Sequence, residues 1–289
     1  MISGAGGTVA ELLRQVAQLL RTADIETAAG DARLLMAQAT GLSHSQLVTD
    51  PDRKITSDAA RSLAELVERR RAREPMSHLT GRRGFWSLEF AVGPAVLDPR
   101  PDTETLVEAA LNLFPDRQAA LSVLDLGTGS GCLLLSFLTE REGAWGVGVD
   151  FSPEALAVAI RNAVDSGLGD RARFLCGDWG QAIEGRFDLI LCNPPYIESG
   201  AIEGLAPEVA NFEPRLALDG GVGGYDSYWA VAPEIARLLA RGGAAVVEAG
   251  AGQMPEIARI FGASGLAFQE ARNDLGGVAR AGIFRCGKP

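Results

Sequence analysis

Apolar residues in the first 80 positions recur at helical spacing. Val9, Leu12, Leu13, Val16, Leu19 and Leu20 form one stripe, and Thr8 with Glu11 reads as a capping box at its start. A second helix is expected over 26–39, carrying Leu34, Leu35 and Met36 and stopping at Gly41. A short third helix starts at Ser43. A fourth runs from Ser57 to Arg73 and ends before Pro75. Residues 1–80 therefore read as a small helical bundle. Over 82–93 the pattern changes to Phe85, Trp86, Leu88, Phe90 and Val92 around a serine, the pattern of a β-hairpin and a hinge.

From 103 onward, short apolar runs alternate with amphipathic stretches. Strands are expected at 122–127, 145–150, 172–178, 187–193 and 244–250, with helices at 103–114, 131–140, 153–166, 225–240 and 253–263. Such alternation predicts an α/β fold with a mostly parallel sheet and crossover helices on both faces. Two last strands, near 266–272 and 278–285, have no helix between them and should pair antiparallel at one edge. The expected organisation is a helical domain over 1–80, a hairpin linker over 81–100 and an α/β domain over 101–289. Residues 198–224 form one long irregular stretch, the kind of loop that serves function.

Composition narrows the class. A hydrophobic share of 47% supports a packed core and argues against global disorder. The formal net charge is −10, and all of it falls after residue 80: residues 1–80 hold 10 basic and 10 acidic side chains, and the rest hold 17 and 27. That balance, with Lys54 and Lys288 the only lysines, argues against a protein that tracks nucleic acid by its field. Cys132, Cys176, Cys192 and Cys286 have no CxxC spacing and read as buried free thiols, and with His44 and His78 they offer no metal site. The N-terminal stretch has no leader pattern and no apolar run is long enough to span a bilayer, so a cytoplasmic protein is expected.

Four constellations carry chemistry. Gly127, Thr128, Gly129, Ser130 and Gly131 follow a strand and open a helix, where glycines allow close approach of a ligand and free N–H groups favour polar atoms. The spacing is G-x-G-x-G, not that of dinucleotide folds. Asp150 ends the next strand and can accept from both hydroxyls of a ribose, as in several nucleoside-binding folds; Ser152 is the better cap for the helix that follows. Asp178 and Trp179 end the third strand, suited to binding and covering a base. Asn193, Pro194, Pro195 and Tyr196 follow FDLILC. The Asn193 side-chain oxygen and the Pro194 carbonyl can both accept from one NH₂ group, and Tyr196 can stack on a flat polar group. Glu248 is a further candidate for a pocket wall. Six arginines over 69–83 form a possible docking patch for an acidic partner face.

DLGTGSG, the acidic residue ending the next strand, GDW and NPPY together resemble a class I S-adenosylmethionine-dependent methyltransferase. Residues 74–111, with EPMSHLTG, FWSLEF and PRPDTE, and FEPRLALDGG at 212–221 are similar to the HemK/PrmC protein-glutamine methyltransferases. The resemblance implies a Rossmann-like seven-stranded methyltransferase sheet behind a helical substrate-docking domain and a linking hairpin. It implies N5-methylation of the glutamine in the Gly-Gly-Gln motif of class 1 peptide-chain release factors, by a monomer that binds neither metal, membrane nor nucleic acid. Gly127 to Gly131 would line the methionine part of S-adenosyl-L-methionine, Asp150 would hold the ribose, and Asp178 and Trp179 would flank the adenine. Asn193 to Tyr196 would hold the substrate glutamine, with Asn193, Pro194 and Tyr196 at the reacting amide. The rival readings are glutamine methylation of a ribosomal protein, N6-adenine methylation of nucleic acid, and a non-catalytic cofactor-binding module. Two departures stand out. Asp98 occupies a position that is usually aliphatic or aromatic in the family, and makes the glutamine pocket more polar if that position walls it; LGGVARAGIFR diverges from the family's C-terminal run.

Overall fold

The structure, a computed structural model, describes residues 7–287. The first six residues of the stretch read for a leader, and Lys288, lie outside them. The chain divides into two compact units: the residues up to Gly81 with Ala206–Phe212, and Arg82–Leu205 with the residues from Glu213 onward.

The first unit is helical. Helix α1 (Val9–Arg21) starts at the expected capping box: Glu11 N donates to Thr8 Oγ1 at 3.3 Å and Thr8 N donates to Glu11 Oε2 at 2.9 Å. Helix α2 (Ala28–Thr40) stops at Gly41, where φ is 70°. Helix α3 (His44–Thr49) carries a second capping box, between Ser43 and Gln46, and α4 (Ser57–Arg71) is capped by Thr56. Helix α5 (Met76–Thr80), bounded by Pro75 and Gly81, is not expected from the sequence. Five residues are too few to display a period. Val9, Leu12, Val16, Leu20, Leu35, Met36, Leu63 and Val67 form the core, whereas Leu34 is exposed.

Four of the six clustered arginines, Arg69, Arg70, Arg71 and Arg73, are ion-paired. Buried Arg70 donates from Nε to Asp31 Oδ2 at 2.7 Å and from Nη1 to Glu208 Oε1 at 2.9 Å. Arg73 also pairs with Glu208, Arg69 with Glu74 and Arg71 with Glu68. The buried Arg70 guanidinium, taken out of water, requires such partners.

In the second unit, β1 (Arg82–Phe85) and β2 (Leu88–Ala91) form the expected antiparallel hairpin, with Phe85 and Phe90 packed edge to face. A 3-10 turn (Pro101–Thr103) leads into α6 (Glu104–Leu113). There follow β3 (Ser122–Leu126), α7 (Cys132–Glu140), β4 (Trp145–Asp150), α8 (Pro153–Asp165), β5 (Ala172–Cys176) and β6 (Phe187–Cys192). The short helix α9 (Pro207–Ala210) groups with the first unit. The chain closes with α10 (Asp226–Leu238), β7 (Leu239–Glu248), α11 (Met254–Ala263), β8 (Leu266–Asn273) and β9 (Ala279–Cys286).

The seven-stranded sheet has the order β5-β4-β3-β6-β7-β9-β8. The first five of these run parallel, and β9 lies antiparallel between β7 and β8, as the missing helix predicts. Alternate strand residues feed two apolar layers. Leu124, Ile190, Ala245 and Val247 pack with α10 and α11, while Val123, Leu189, Leu191 and Val246 pack with α6 and α7. A period of two on buried strands makes this separation. Two expectations shift. Strand β7 begins at Leu239, five residues early, because Leu239 pairs with Phe187 and the irregularity at Gly242 (φ 86°) and Gly243 lets the strand resume. All four cysteines are free, but Cys176, on the terminal strand of the sheet, and Cys286, at the end of β9, are exposed; only Cys192 is fully buried.

Candidate cofactor and substrate site

Strand order reverses between β3 and β6, and ligand crevices of open α/β sheets lie at such points, at the carboxyl ends of the strands. A cavity of about 420 Å³ lies here. The turn from β3 into α7 needs left-handed backbone at Gly127 (φ 74°), Gly129 (54°) and Gly131 (81°), which explains the G-x-G-x-G spacing. The N–H groups of Gly127 and Thr128 both donate to Val149 O at 2.9 Å, tying the loop to β4. Thr128 Oγ1 donates to buried Asp125 Oδ2 at 2.6 Å. Burial pushes the Asp125 carboxyl up to about 7, against the pull of that bond. Asn162 on α8 braces the loop, with Nδ2 donating to Ser130 O at 2.9 Å and Oδ1 accepting from Ala91 N at 2.7 Å.

Asp150 lines the cavity with each carboxylate oxygen partly engaged: Gly129 N donates to Oδ2 at 2.8 Å and Ser152 N to Oδ1 at 2.9 Å. Each oxygen keeps acceptor capacity. Ser152 caps α8 through Ala155 N, as expected. Asp178 and Trp179 also line the cavity. Trp179 closes on the glycine loop: a Cβ on Gly127 would lie 3.4 Å from its ring and 3.8 Å from Asn193 O. Both are ordinary van der Waals separations, so the left-handed φ of Gly127, not lack of space, calls for glycine there.

The NPPY segment divides. Asn193 and Pro195 line the cavity; Pro194, Tyr196 and Gly131 do not. Asn193 Nδ2 donates to Thr103 Oγ1 over a long 3.5 Å. Tyr196 is pinned by its hydroxyl, which donates to Glu248 Oε1 at 3.1 Å, and by its carbonyl, which accepts from Gln253 Nε2 at 3.1 Å. Glu248 is neither solvated nor a cavity wall. It is buried, and that burial pushes its carboxyl up to about 7, while the Thr103 and Tyr196 hydroxyls pull it down. The Tyr196 phenol is pushed up by its own burial.

Sequence reasoning missed much of the wall. Val96, Leu97, Pro99, Arg100 and Thr103 line the cavity from before α6, and Pro214, Leu216, Ala217 and Asp219 line it from the loop after NPPY. The PRPDTE and FEPRLAL runs were the available signal. The neck of that loop is closed by Ile197 N to Leu218 O and Gly220 N to Ile197 O. Asp98 is buried and does not line the cavity, although its neighbours Leu97 and Pro99 do. Its charge acts instead on Glu213, which burial raises to about 6 against the pull of Arg100 at 2.6 Å.

Comparison with known proteins follows this geometry. Residues 11–81 match the family model described as PrmC N-terminal domain, and 117–260 match the one described as methyltransferase domain. A release factor glutamine methyltransferase of Rhodospirillum rubrum is 46% identical over 274 residues, covering 95% of this chain and 84% of the relative. One from Caulobacter vibrioides is 47% identical, covering 80% of each chain. A crystal structure of a methyltransferase from Pyrococcus furiosus superposes with a TM-score of 0.52 at 17% identity, over 71% of this chain and 92% of that one, a likeness of fold. Identity of this extent across both the helical and the α/β regions shows that the chain belongs to the family of release factor glutamine methyltransferases.

Proposed function

We propose that this protein methylates the side-chain nitrogen of the glutamine in the Gly-Gly-Gln motif of class 1 peptide-chain release factors, acting as a cytoplasmic monomer without nucleic acid. The methyl donor is S-adenosylmethionine. The residues present fit that group: the glycine cradle at Gly127, closed by Trp179, lies in the same cavity as the Asp150 carboxylate. Asp150 would accept from the ribose hydroxyls, Gly127 to Ser130 would line the methionine part with Gly131 turning the chain into α7, and Asp178 and Trp179 would flank the adenine. When bound, the cofactor supplies a methyl group already activated on a sulfonium.

An amide nitrogen is a poor nucleophile, because its lone pair is delocalised into the carbonyl. Geometry therefore matters more than a strong base. Asn193 Oδ1 and the Pro194 carbonyl would accept from the glutamine NH₂ and hold the nitrogen. The same acceptors stabilise the positive charge that develops on nitrogen. Pro195 and Tyr196 complete the segment, which the Tyr196–Glu248 bond keeps in place. The amide proton leaves to water, so no general base is assigned. The observation that carries this reading is that Asn193 lines the same cavity as the glycine loop and Asp150. Among the described residues no helix is long and apolar enough to cross a membrane.

The test offers labelled S-adenosylmethionine with a release factor, a ribosomal protein or DNA, and maps the product by mass spectrometry. Label on the Gly-Gly-Gln glutamine is expected. Label on ribosomal protein or adenine alone would sink the proposal.

A further inference from the structure

Large apolar side chains left in water are ordinary when they are scattered singly. The two most exposed ones among the described residues share one end of the sheet. Leu275 is fully exposed and Val222 is 90% exposed, against 66% for Val164, the next most exposed. Leu275 sits on the turn between β8 and β9, and Val222 on the turn before α10. Both turns lie at the end of the sheet that carries the cavity. Strand β9 starts beside the carboxyl end of β7, with Ala281 opposite Glu248. The Val222 turn follows the cavity residue Asp219, and a Cβ on Gly224 would lie 2.6 Å from Tyr196 O.

Each turn is held by one aspartate. Asp274 Oδ1 accepts from Gly276 N at 2.9 Å and from Val278 N at 3.0 Å. Its Oδ2 accepts from Arg280 Nη2 at 3.1 Å, and Arg280 Nη1 donates to Ala249 O at 3.0 Å. Arg280 Nη2 also donates to Asp102 Oδ2 at 3.3 Å, next to the cavity residue Thr103. Asp219 Oδ1 accepts from Gly221 N at 3.0 Å and from Ser199 Oγ at 2.6 Å, while Ser199 N donates to Gly221 O at 2.9 Å. Turns fixed in this way present the leucine and the valine already ordered. That removes part of the entropy cost of meeting a partner.

Neither side chain lines the cavity. A glutamine inside the cavity does not reach them, but the body of the protein that carries it does. Leu216, in the same loop as Val222, is exposed and does line the cavity, so the exposed apolar positions of this loop begin at the cavity wall. We propose that Leu275 and Val222 are docking contacts for the protein substrate, packing against apolar surface that flanks the inserted glutamine. The inference rests on the proposed release-factor activity and adds the surface that recognises the folded substrate rather than its glutamine. Such contacts form alike in the ground and transition states, so they act on substrate binding and not on the transfer rate.

The test uses the full chain with Leu275→Ser, Val222→Ser, the double variant, Leu275→Met and, as a control, Val164→Ser. Helix α8 leaves the carboxyl end of β4, and Val164 lies in its last turn, away from the cavity. Methylation kinetics are measured with an intact release factor, folding by thermal unfolding, and oligomeric state by sedimentation. Each serine variant should raise KM about five- to tenfold with kcat within about twofold of the unaltered protein. The double variant should multiply the two losses, because separate contacts add in free energy. Leu275→Met, which keeps an apolar side chain, and Val164→Ser should hold KM within about twofold. An unchanged KM in both serine variants overturns the proposal, and so does an equal rise in Val164→Ser. A fall in kcat at unchanged KM also overturns it, because the turns would then serve the transfer. A dimer of the unaltered protein that the serine variants split overturns it as well, and assigns the surface to a second copy of the chain. If the unaltered protein places no label on a release factor, the proposed activity itself fails. A labelled release factor with normal KM in both serine variants removes the docking surface alone. If one serine variant does not fold, the other decides.

Discussion

Gly127 holds a φ of 74° that other residues resist, while a Cβ there would meet Trp179 and the carbonyl of Asn193 only at ordinary contact distance. Gly127→Ala should therefore cost about 1–2 kcal/mol of stability from the left-handed backbone alone. The loss should appear in thermal unfolding, while a Cβ at ordinary contact distance from the indole should leave cofactor affinity in calorimetry nearly unchanged. Asn193→Ala acts at the other step. Removing one preorganised acceptor should cost about 2–4 kcal/mol in the transition state. A loss in kcat of about thirtyfold or more, with cofactor affinity kept, is expected in a methyl-transfer assay. Both residues were legible in the sequence, since glycine and NPPY spacing mark backbone with special demands. Thr103 was not, because a threonine in a turn has no signature until a strand end from elsewhere in the chain arrives beside it.

Helix ends and strand ends show how far local rules reach. The Thr8–Glu11 box forms as its residues dictate, and Thr8→Ala should lower the stability of the helical unit by about 1 kcal/mol in chemical denaturation. Ion pairs of α4 separate by burial rather than by sequence. Arg70 and Asp31 have side chains 7% exposed, whereas Arg71 and Glu68 are 38% and 60% exposed. Removing Asp31 takes from the buried Arg70 its Nε partner while Glu208 remains, so Asp31→Ala should cost about 2–3 kcal/mol. Glu68→Ala should cost less than about 1 kcal/mol. Equal losses in the two denaturation curves would contradict this account. The early start of β7 belongs to the same scale: residues 239–243 carry the pattern of a helix end, and only pairing of Leu239 with Phe187 on β6 makes them strand.

Across the whole molecule, the site gathers buried acids that titrate unusually high. Glu248 and Asp125 are each raised to about 7, and Glu213 to about 6, with burial the largest cause in each case. A raised carboxyl binds its proton more tightly when folded. Its contribution to stability is therefore fully present below the ordinary value of 4.5 and is lost as pH rises through the folded value near 7. Glu248→Gln removes that titration, so the variant should gain stability relative to the unaltered protein as pH goes from 4.5 to 8, in melting curves across that range. No relative gain would show that Glu248 titrates normally. The sequence by itself determined the helical start of the chain, the hairpin, the alternating α/β order and the glycine turn after β3, because periodicity, caps and glycine turns are local. It located Asn193 and Asp150 for the same reason. Only the tertiary structure decided that Arg70 is buried and paired, that Asp98 is buried outside the cavity lining, and that Thr103 and Glu248 stand beside NPPY. Those outcomes depend on which distant chain segments meet, and burial and electrostatic pairing are properties of that meeting.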